Sequence, residues 1–425
     1  MAINISNRFR NIQYSYKRVF VNFISLSVLQ GMNYVLPLIT LPYLIQVLGV
    51  EKFGLVSFAT SIALYFGIIS DYGYKLTAPR DIAKCGGNQD EINKIANVVF
   101  VSKSIILAFC FLFMVFLVNY ISPFNEHKLI YIVSFFVIAC QSFVPVWFFQ
   151  GVEDMKYVTY INIFSKLVFL ILVFTYISTP EDYYYVPIFT AVGFFISAFL
   201  SICKIRSKYN YKFNLPSIDK IKIGFKDGWE IFLGSAFTSL YTNSNIVILG
   251  LYTSPIVVGY YTIADKIVSA ITGLFIPFNQ AIYPFLAKKY NKSKYDFSKI
   301  TLKLTKLLSI VSIILFFLFY ISNESIVEFI TSEVNSTVVL LVSIMSLRIL
   351  SSPFSNLFSN VLIITGNKKP YLKVMKLTVI ANVVVVFPAI YLFESIGLAI
   401  GFVTVLWLHT IMLYLNTKKI SYEKV

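Results

Sequence analysis

The sequence predicts an all-α polytopic membrane protein of about twelve transmembrane helices in two six-helix bundles. Three observations carry this expectation. The first is composition: of 425 residues, 57% are hydrophobic and only 13% charged, and the mean hydropathy is +0.75. Soluble domains carry about 25% charged residues, so this chain cannot coat a water-facing surface of its size. A soluble enzyme, a nucleic-acid-binding domain and a disordered chain are excluded on that ground. The second is that the apolar runs are continuous and do not alternate with period two, which points to helices and not barrel strands. The third is where the basic residues fall.

The first apolar run, roughly 19–47, follows Arg8, Arg10, Lys17 and Arg18. It is much longer than a signal-peptide core of about 7–15 residues, and no small-residue cleavage site ends it. It reads as a retained first helix. Further runs near the ~20 residues needed to span a bilayer lie at roughly 53–73, 95–120, 128–149, 157–178, 183–204, 229–252, 255–286, 301–322, 336–365, 371–392 and 395–416. With the N-terminus inside, thirty basic residues fall in cytoplasmic segments and two, Lys52 and Lys128, in outer loops. Basic residues gather on the cytoplasmic side of membrane proteins, so this split supports both the segmentation and an orientation with both termini cytoplasmic. It also accounts for most of the net charge of +16 without nucleic acid.

The chain repeats itself. Phe53-Gly54 through Thr60 resembles Val258-Gly259 through Asp265, 205 positions later, and Glu91, Lys94 and Ile95 meet Asp296, Lys299 and Ile300 at the same separation. Each half enters from the same side, so the expected repeat is parallel, related about an axis along the membrane normal. The expected division is 1–204, a cytoplasmic linker at 205–226, and 227–425. Two such bundles suggest alternating access around a central cavity. No filter-like loop, no phosphate-binding GxxxxGK[ST] motif and no nucleophile–base–acid set favour a channel, an ATP-driven pump or an enzyme. Cys85, Cys110, Cys140 and Cys203 have no metal-binding spacing, and His127 and His409 form no pair.

Ionisable residues inside the spans cost about 2.5–3.5 kcal/mol each at the bilayer centre, so they should face a wet cavity or a partner. They are Lys103, Lys166, Asp265, Lys266 and Arg348. Lys103 and Lys166 lie near enough to a helix end to snorkel instead. Asp265 could simply pair with Lys266 or Arg348. A basic cavity suits a phosphate or pyrophosphate, which Arg grips in bidentate fashion and Lys as a point charge. Asp265 is then the candidate for coupling to a proton or sodium ion. Gln30 and Asn33 in the first helix, and Ser239, Tyr241, Thr242, Asn243 and Asn245 in the seventh, offer groups suited to sugar hydroxyls or to interhelical hydrogen bonds. Pro37 and Pro42 either kink the first helix or reflect the ordinary enrichment of proline in membrane helices.

Three segments resemble a known family. They are Leu38-Ile39-Thr40-Leu41-Pro42-Tyr43-Leu44, leading to Ser70-Asp71-Tyr72-Gly73 and Arg80-Asp81-Ile82-Ala83; Pro145-Val146-Trp147-Phe148-Phe149-Gln150-Gly151-Val152-Glu153, leading to Lys156-Tyr157; and Gly259 through Val268, ending in Gln280-Ala281-Ile282-Tyr283-Pro284. They are similar to the Wzx-type polysaccharide flippases of the MOP superfamily, the O-antigen and capsule repeat-unit translocases. The resemblance implies the MOP/MATE-like fold and a location in the bacterial cytoplasmic (inner) membrane. It implies transport of an undecaprenyl-pyrophosphate-linked oligosaccharide to the periplasmic leaflet through a cationic lumen, with ion antiport. It also implies, as partners, a polysaccharide polymerase and a chain-length regulator. Arg348, Lys266, Lys103, Lys166, Gln30, Asn33, Asn243 and Asn245 are the candidate substrate-binding residues, Asp265 the ion-coupling residue, and Asp71 with Arg80 a cytoplasmic gate or a helix-end ion pair. No cofactor beyond the coupling ion is expected, and the default is a monomer. The alternatives are a cation-coupled multidrug exporter of the same superfamily, disfavoured by the basic cavity, and a non-transport scaffold for polysaccharide assembly.

Overall fold

The computed structural model describes residues 2–422, and side chains outside 1–30, 33–35, 237–238, 240–242, 280–281, 368 and 419–425. Among the described residues the regular structure is helical, with no strand. The helices are α1 (Ala2–Asp71), α2 (Tyr74–Lys84), α3 (Gln89–Tyr120), α4 (Lys128–Ser142), α5 (Val146–Gly151), α6 (Lys156–Tyr176), α7 (Tyr185–Tyr209), α8 (Ile218–Tyr252), α9 (Pro255–Gly273), α10 (Phe275–Lys292), α11 (Lys294–Ile321), α12 (Asn323–Thr331), α13 (Ser336–Ile364) and α14 (Lys368–Tyr422). Nine described stretches are long and apolar enough to cross a bilayer. One of them, Lys369–Lys418, is two arms meeting at Phe393–Glu394, where Glu394 takes a φ of 48°. α1 likewise breaks at Gly49, with φ 74° and ψ 165°. The large apolar side chains that face outward cluster on these helices, for example Phe109, Leu112, Phe113 and Phe116 on α3 and Ile310, Ile313, Ile314, Phe317 and Leu318 on α11. Water does not tolerate such continuous patches, whereas hydrocarbon does.

The backbone stays helical through Pro37 and Pro42, and α1 breaks at Gly49, in the gap the sequence leaves between its first two spans, at a residue whose φ only glycine adopts freely. One detail differs from the sequence reading. The expected eighth span is not one rod, because α9 and α10 are separated by a turn at Leu274.

The chain forms two compact units. Unit 1 comprises Met1–Asn33, Ile62–Ile177 and Tyr184–Ala236, and unit 2 comprises Tyr34–Ser61, Ser178–Tyr183 and Phe237–Val425. In unit 1 the Trp147-Phe148-Phe149 segment of α5 is buried in a cluster with Tyr74, Ile82, Ile92, Val99, Val158 and Ile205. Gly151 lets α5 close on α2: a Cβ there would lie 2.7 Å from the Ile82 Cβ. Just beyond, Asp154 accepts a hydrogen bond from the Tyr209 hydroxyl at 2.8 Å and is bridged by Lys208. The most family-like motif of the sequence is therefore packing that binds α2, α3, α6 and α7 into one body.

Unit 2 carries the repeat in three dimensions. A Cβ on Gly54 would lie 1.9 Å from the Pro255 carbonyl oxygen, and one on Gly259 would lie 2.4 Å from the Val50 carbonyl oxygen. Gly54 and Gly259 are 205 positions apart, and so are Val50 and Pro255. Exchanging the second arm of α1 with α9 thus maps the contact onto itself, and a local twofold axis runs through the crossing. Small residues are what allow membrane helices to approach this closely. The α14 arms are held likewise: Gly397 leaves no room for a Cβ against the Ala389 carbonyl, and buried His409 meets Thr378 at 2.8 Å.

Replacing Gly54 by Ala should lower the apparent melting temperature of the purified protein, since overpacking costs about 1–3 kcal/mol. A melting curve unchanged from wild type would contradict the crossing. Burial works against the Asp154 carboxylate, but hydrogen bonds from Lys208 and Tyr209 outweigh it and hold its pKa below the usual range. A lowered carboxylate stabilises the fold above its unfolded pKa and loses that contribution as pH falls through the folded value. Asp154→Asn should therefore lower stability at neutral pH and reduce its fall on acidification, measured as melting temperature against pH.

Candidate functional site

The site is built on α9, α10 and α13 of unit 2. α9 is buried almost all round, through Thr262, Ile263, Ala264, Ile267 and Val268. Its accessible strip holds Asp265, Lys266 and Ser269. From α13, Arg348 Nη1 donates to Asp265 Oδ1 at 2.5 Å and Nη2 to Ser269 Oγ at 3.3 Å. Ser269 Oγ in turn donates to Asp265 Oδ1 at 3.4 Å. The guanidinium lies over the Phe402 ring of α14, 5.2 Å from its centroid, a cation–π contact. Arg348 is 13% exposed and Asp265 28%, so the pair is sheltered without being sealed. Of the two partners the sequence allowed for Asp265, the structure selects Arg348, and Lys266 stays exposed beside them.

Arg348 begins a polar stripe along α13. Ser352, Asn356 and Asn360 follow at four-residue steps, which puts them on one helix face. At 1.5 Å rise per residue, Asn356 and Asn360 lie about 12 and 18 Å along the axis from Arg348. There α10 contributes Asn279 and Tyr283, and together with Ile276 these residues line a cavity of about 380 Å³. Asn279 is 6% exposed; its Nδ2 donates to the Phe275 carbonyl at 2.8 Å, while its Oδ1 has no partner among the described residues. A buried amide oxygen without a partner is costly, and here it borders open space. The sequence reading missed Asn279, Asn356 and Asn360 by following charge. The four-residue spacing from Arg348 was the signal available.

The other expected residues lie elsewhere. Lys103 does not snorkel: it is 3% exposed in unit 1, and its Nζ bonds Asp71 Oδ1 at 2.7 Å and the Ser142 carbonyl at 3.1 Å. This corrects the expected Asp71/Arg80 pair. The chain turns at Tyr72–Gly73, both with positive φ, which sends Arg80 into α2, where it pairs with Asp81 at 2.9 Å on the exposed surface. Lys166 sits half-buried on α6. Asn243 Nδ2 donates to Ser239 Oγ at 3.2 Å, one turn back on α8. Asn245 is 3% exposed, with both side-chain polar atoms unpartnered among the described residues. Gln30, Asn33, Tyr241 and Thr242 lie outside the described side chains. Among the described residues no three His, Cys, Asp or Glu come together as a metal site, and the four cysteines are free thiols.

The family model described as "Polysaccharide biosynthesis protein" matches residues 19–290. The chain belongs to this family. An Escherichia coli (strain K12) protein provisionally named an O-antigen transporter is 29% identical over 383 residues, which is 89% of this chain and 92% of that protein. A Shigella dysenteriae protein with the same name is 32% identical over 269 residues, 63% of this chain and 67% of its own. Among solved structures, a multidrug resistance MATE family transporter of the MOP superfamily, in an inward-facing conformation, superposes with a TM-score of 0.73 at 14% identity, covering 94% of this chain and 98% of its own. A Vibrio cholerae MATE transporter superposes at 0.62 and 13% identity, covering 95% and 96%. At such identities the likeness establishes the MOP/MATE fold and nothing finer. The flippase resemblance read from the three sequence segments is upheld by the family match and the two relatives.

Removing Arg348 as Arg348→Met leaves Asp265 a partly sheltered carboxylate without its cation. We expect a stability loss of about 1–3 kcal/mol, and the double variant Arg348→Met/Asp265→Leu should recover part of it. A double-mutant cycle with no coupling energy would show that the pair does not hold α9 to α13.

Proposed function

We propose that this member of the polysaccharide biosynthesis family flips an undecaprenyl-pyrophosphate-linked oligosaccharide, an O-antigen or capsule repeat unit, across the bacterial cytoplasmic membrane. The observation that carries the reading is the stripe on α13: a cation held by an acid at one end and an uncharged amide cavity at the other. A substrate with a pyrophosphate head and a glycan has the same two parts in the same order. The names of the two curated relatives support the same class of cargo.

The chemistry follows from the pair. An incoming pyrophosphate competes with Asp265 for the Arg348 guanidinium, and exposed Lys266 adds a second positive charge beside it. Neutralising Asp265 with a proton or sodium ion frees Arg348 for bidentate contact with the phosphate. Restoring the carboxylate returns the arginine to its partner and favours release. Ion binding at Asp265 and phosphate binding at Arg348 then favour one another, which links substrate movement to the ion in the same direction, as symport and not the antiport the resemblance implies. The carboxamides of Asn279, Asn356 and Asn360 offer donors and acceptors to sugar hydroxyls, and the Tyr283 ring offers an apolar face. In this reading the halves 1–204 and 227–425, joined by 205–226, alternate around the substrate. Both termini are cytoplasmic, the protein works as a monomer, and a polymerase with its chain-length regulator consumes the product.

The test is a deletion strain in which surface polysaccharide and the trapped lipid-linked repeat unit are both quantified. Loss of polymer with accumulated inner-leaflet intermediate is expected, restored by wild type and not by Arg348→Ala. Asp265→Asn should still bind the lipid-linked substrate in detergent while transport into vesicles loses its dependence on the ion gradient. Normal polymer without accumulation, together with altered drug susceptibility, would overturn the reading in favour of a multidrug exporter.

A further inference from the structure

Unit 1 contains a second cavity, of about 1270 Å³, between α3, α7 and the non-helical segment 210–217 that precedes α8. On the α3 and α7 sides it is lined by Phe100, Val101, Ser104, Ile105 and Ile202, apolar but for Ser104. Arg206 and Lys212, both exposed, also line it, and the lining includes no acidic residue. Neither cation has an ion-pair partner among the described residues. Their neighbours differ: Lys204 lies over the Tyr157 ring at 4.6 Å, and Lys208 bridges Asp154.

The cations sit on fixed backbone. Asn93 Nδ2 donates to the Asn210 carbonyl at 3.5 Å and Asn97 Nδ2 to the Lys212 carbonyl at 3.2 Å. The Tyr211 hydroxyl donates to Asn97 Oδ1 at 2.6 Å, and Tyr211 itself is 8% exposed. Two residues of α3 thus hold the segment down by its main chain, while Phe213 and Leu215 turn outward, 59% and 80% exposed. Arg206 is three residues from the end of α7, about 5 Å along its axis, which is headgroup depth for a helix that spans. Two cations and several apolar side chains line one cavity, a combination that neither a soluble anion nor a soluble glycan would use in full.

We infer that this cavity binds an anionic glycerophospholipid of the surrounding bilayer, its phosphate between Arg206 and Lys212 and an acyl chain against Phe100, Val101 and Ile105. The ligand is a structural lipid of unit 1, independent of what the protein transports. Holding it would tie α7 and the connection to α8 onto α3.

The full-length protein, purified and delipidated, is titrated with phosphatidylglycerol, phosphatidylcholine, polyprenyl phosphate and inorganic phosphate, and bound lipid is read by native mass spectrometry. Wild type should retain phosphatidylglycerol in preference to phosphatidylcholine. Arg206→Gln/Lys212→Gln should weaken that binding by about tenfold to thirtyfold, at about 1 kcal/mol for each base near an anionic surface. Lys222→Gln/Lys226→Gln, exposed on α8, removes the same charge and should leave binding unchanged. Melting curves without lipid show whether each variant is folded, and Arg206→Gln alone, expected to weaken binding about fivefold, serves as the alternative if the double variant is not. Equal weakening by both double variants, equal retention of phosphatidylcholine, preference for polyprenyl phosphate, or full occupancy by inorganic phosphate would each overturn the assignment.

Discussion

Inside hydrocarbon, a backbone amide that leaves the helix finds no water, and leaving it unpaired costs several kcal/mol. The breaks in this chain are arranged around that constraint. At the corner after α4, Val144 N bonds the Gln141 carbonyl at 3.0 Å and Val146 N bonds Val144 at 2.9 Å. The Ser142 carbonyl, freed by the end of the helix, is taken by Lys103. A lysine that looks like a candidate for substrate is therefore spent on an orphaned carbonyl and on Asp71. At Leu274, where α9 passes to α10, the amide bonds the Ile271 carbonyl at 3.1 Å. That break lies between the helix bearing Asp265 and the helix bearing Asn279. It lets one membrane crossing present an ionic group and an amide cavity without a continuous rod.

Much of the fold was legible because hydropathy and charge sidedness are summed over many residues. Some helix termini follow local rules that one sequence displays. Asn88 accepts from Asp90 N and Glu91 N to cap α3, and Ser293 and Asn335 cap α11 and α13. Gly366, with φ 77°, ends α13 with Asn367 N on the Leu362 carbonyl, the glycine stop expected after a helix. The site was less legible. Its Arg348–Asp265 pair was one of the alternatives on the page, since only charge was needed to suspect it. The failure at Asp71 and Arg80 has a local cause: a two-residue turn at positive φ reverses which neighbours a helix-end acid meets. The first helix carries Pro37 and Pro42 unbroken, one of the two readings the sequence allowed, and the chain breaks at Gly49 between the first two spans through that residue's own dihedral freedom.

The two ends of the α13 stripe use different physics. The ionic end is strong and long-ranged in a low dielectric. The amide end is weak per contact and short-ranged, and it depends on geometry. A site built of carboxamides can hold polyols of varied pattern. Sequence scanning for charge finds the first kind of group and passes over the second.

The Gly54–Gly259 crossing has a meaning beyond packing. A contact that exchanges into itself is the isologous contact that two identical chains make across a dimer axis. Enlargement at either glycine meets the opposing carbonyl, so the symmetry acts as a joint constraint on two positions 205 residues apart, as it would on one position of a symmetric dimer.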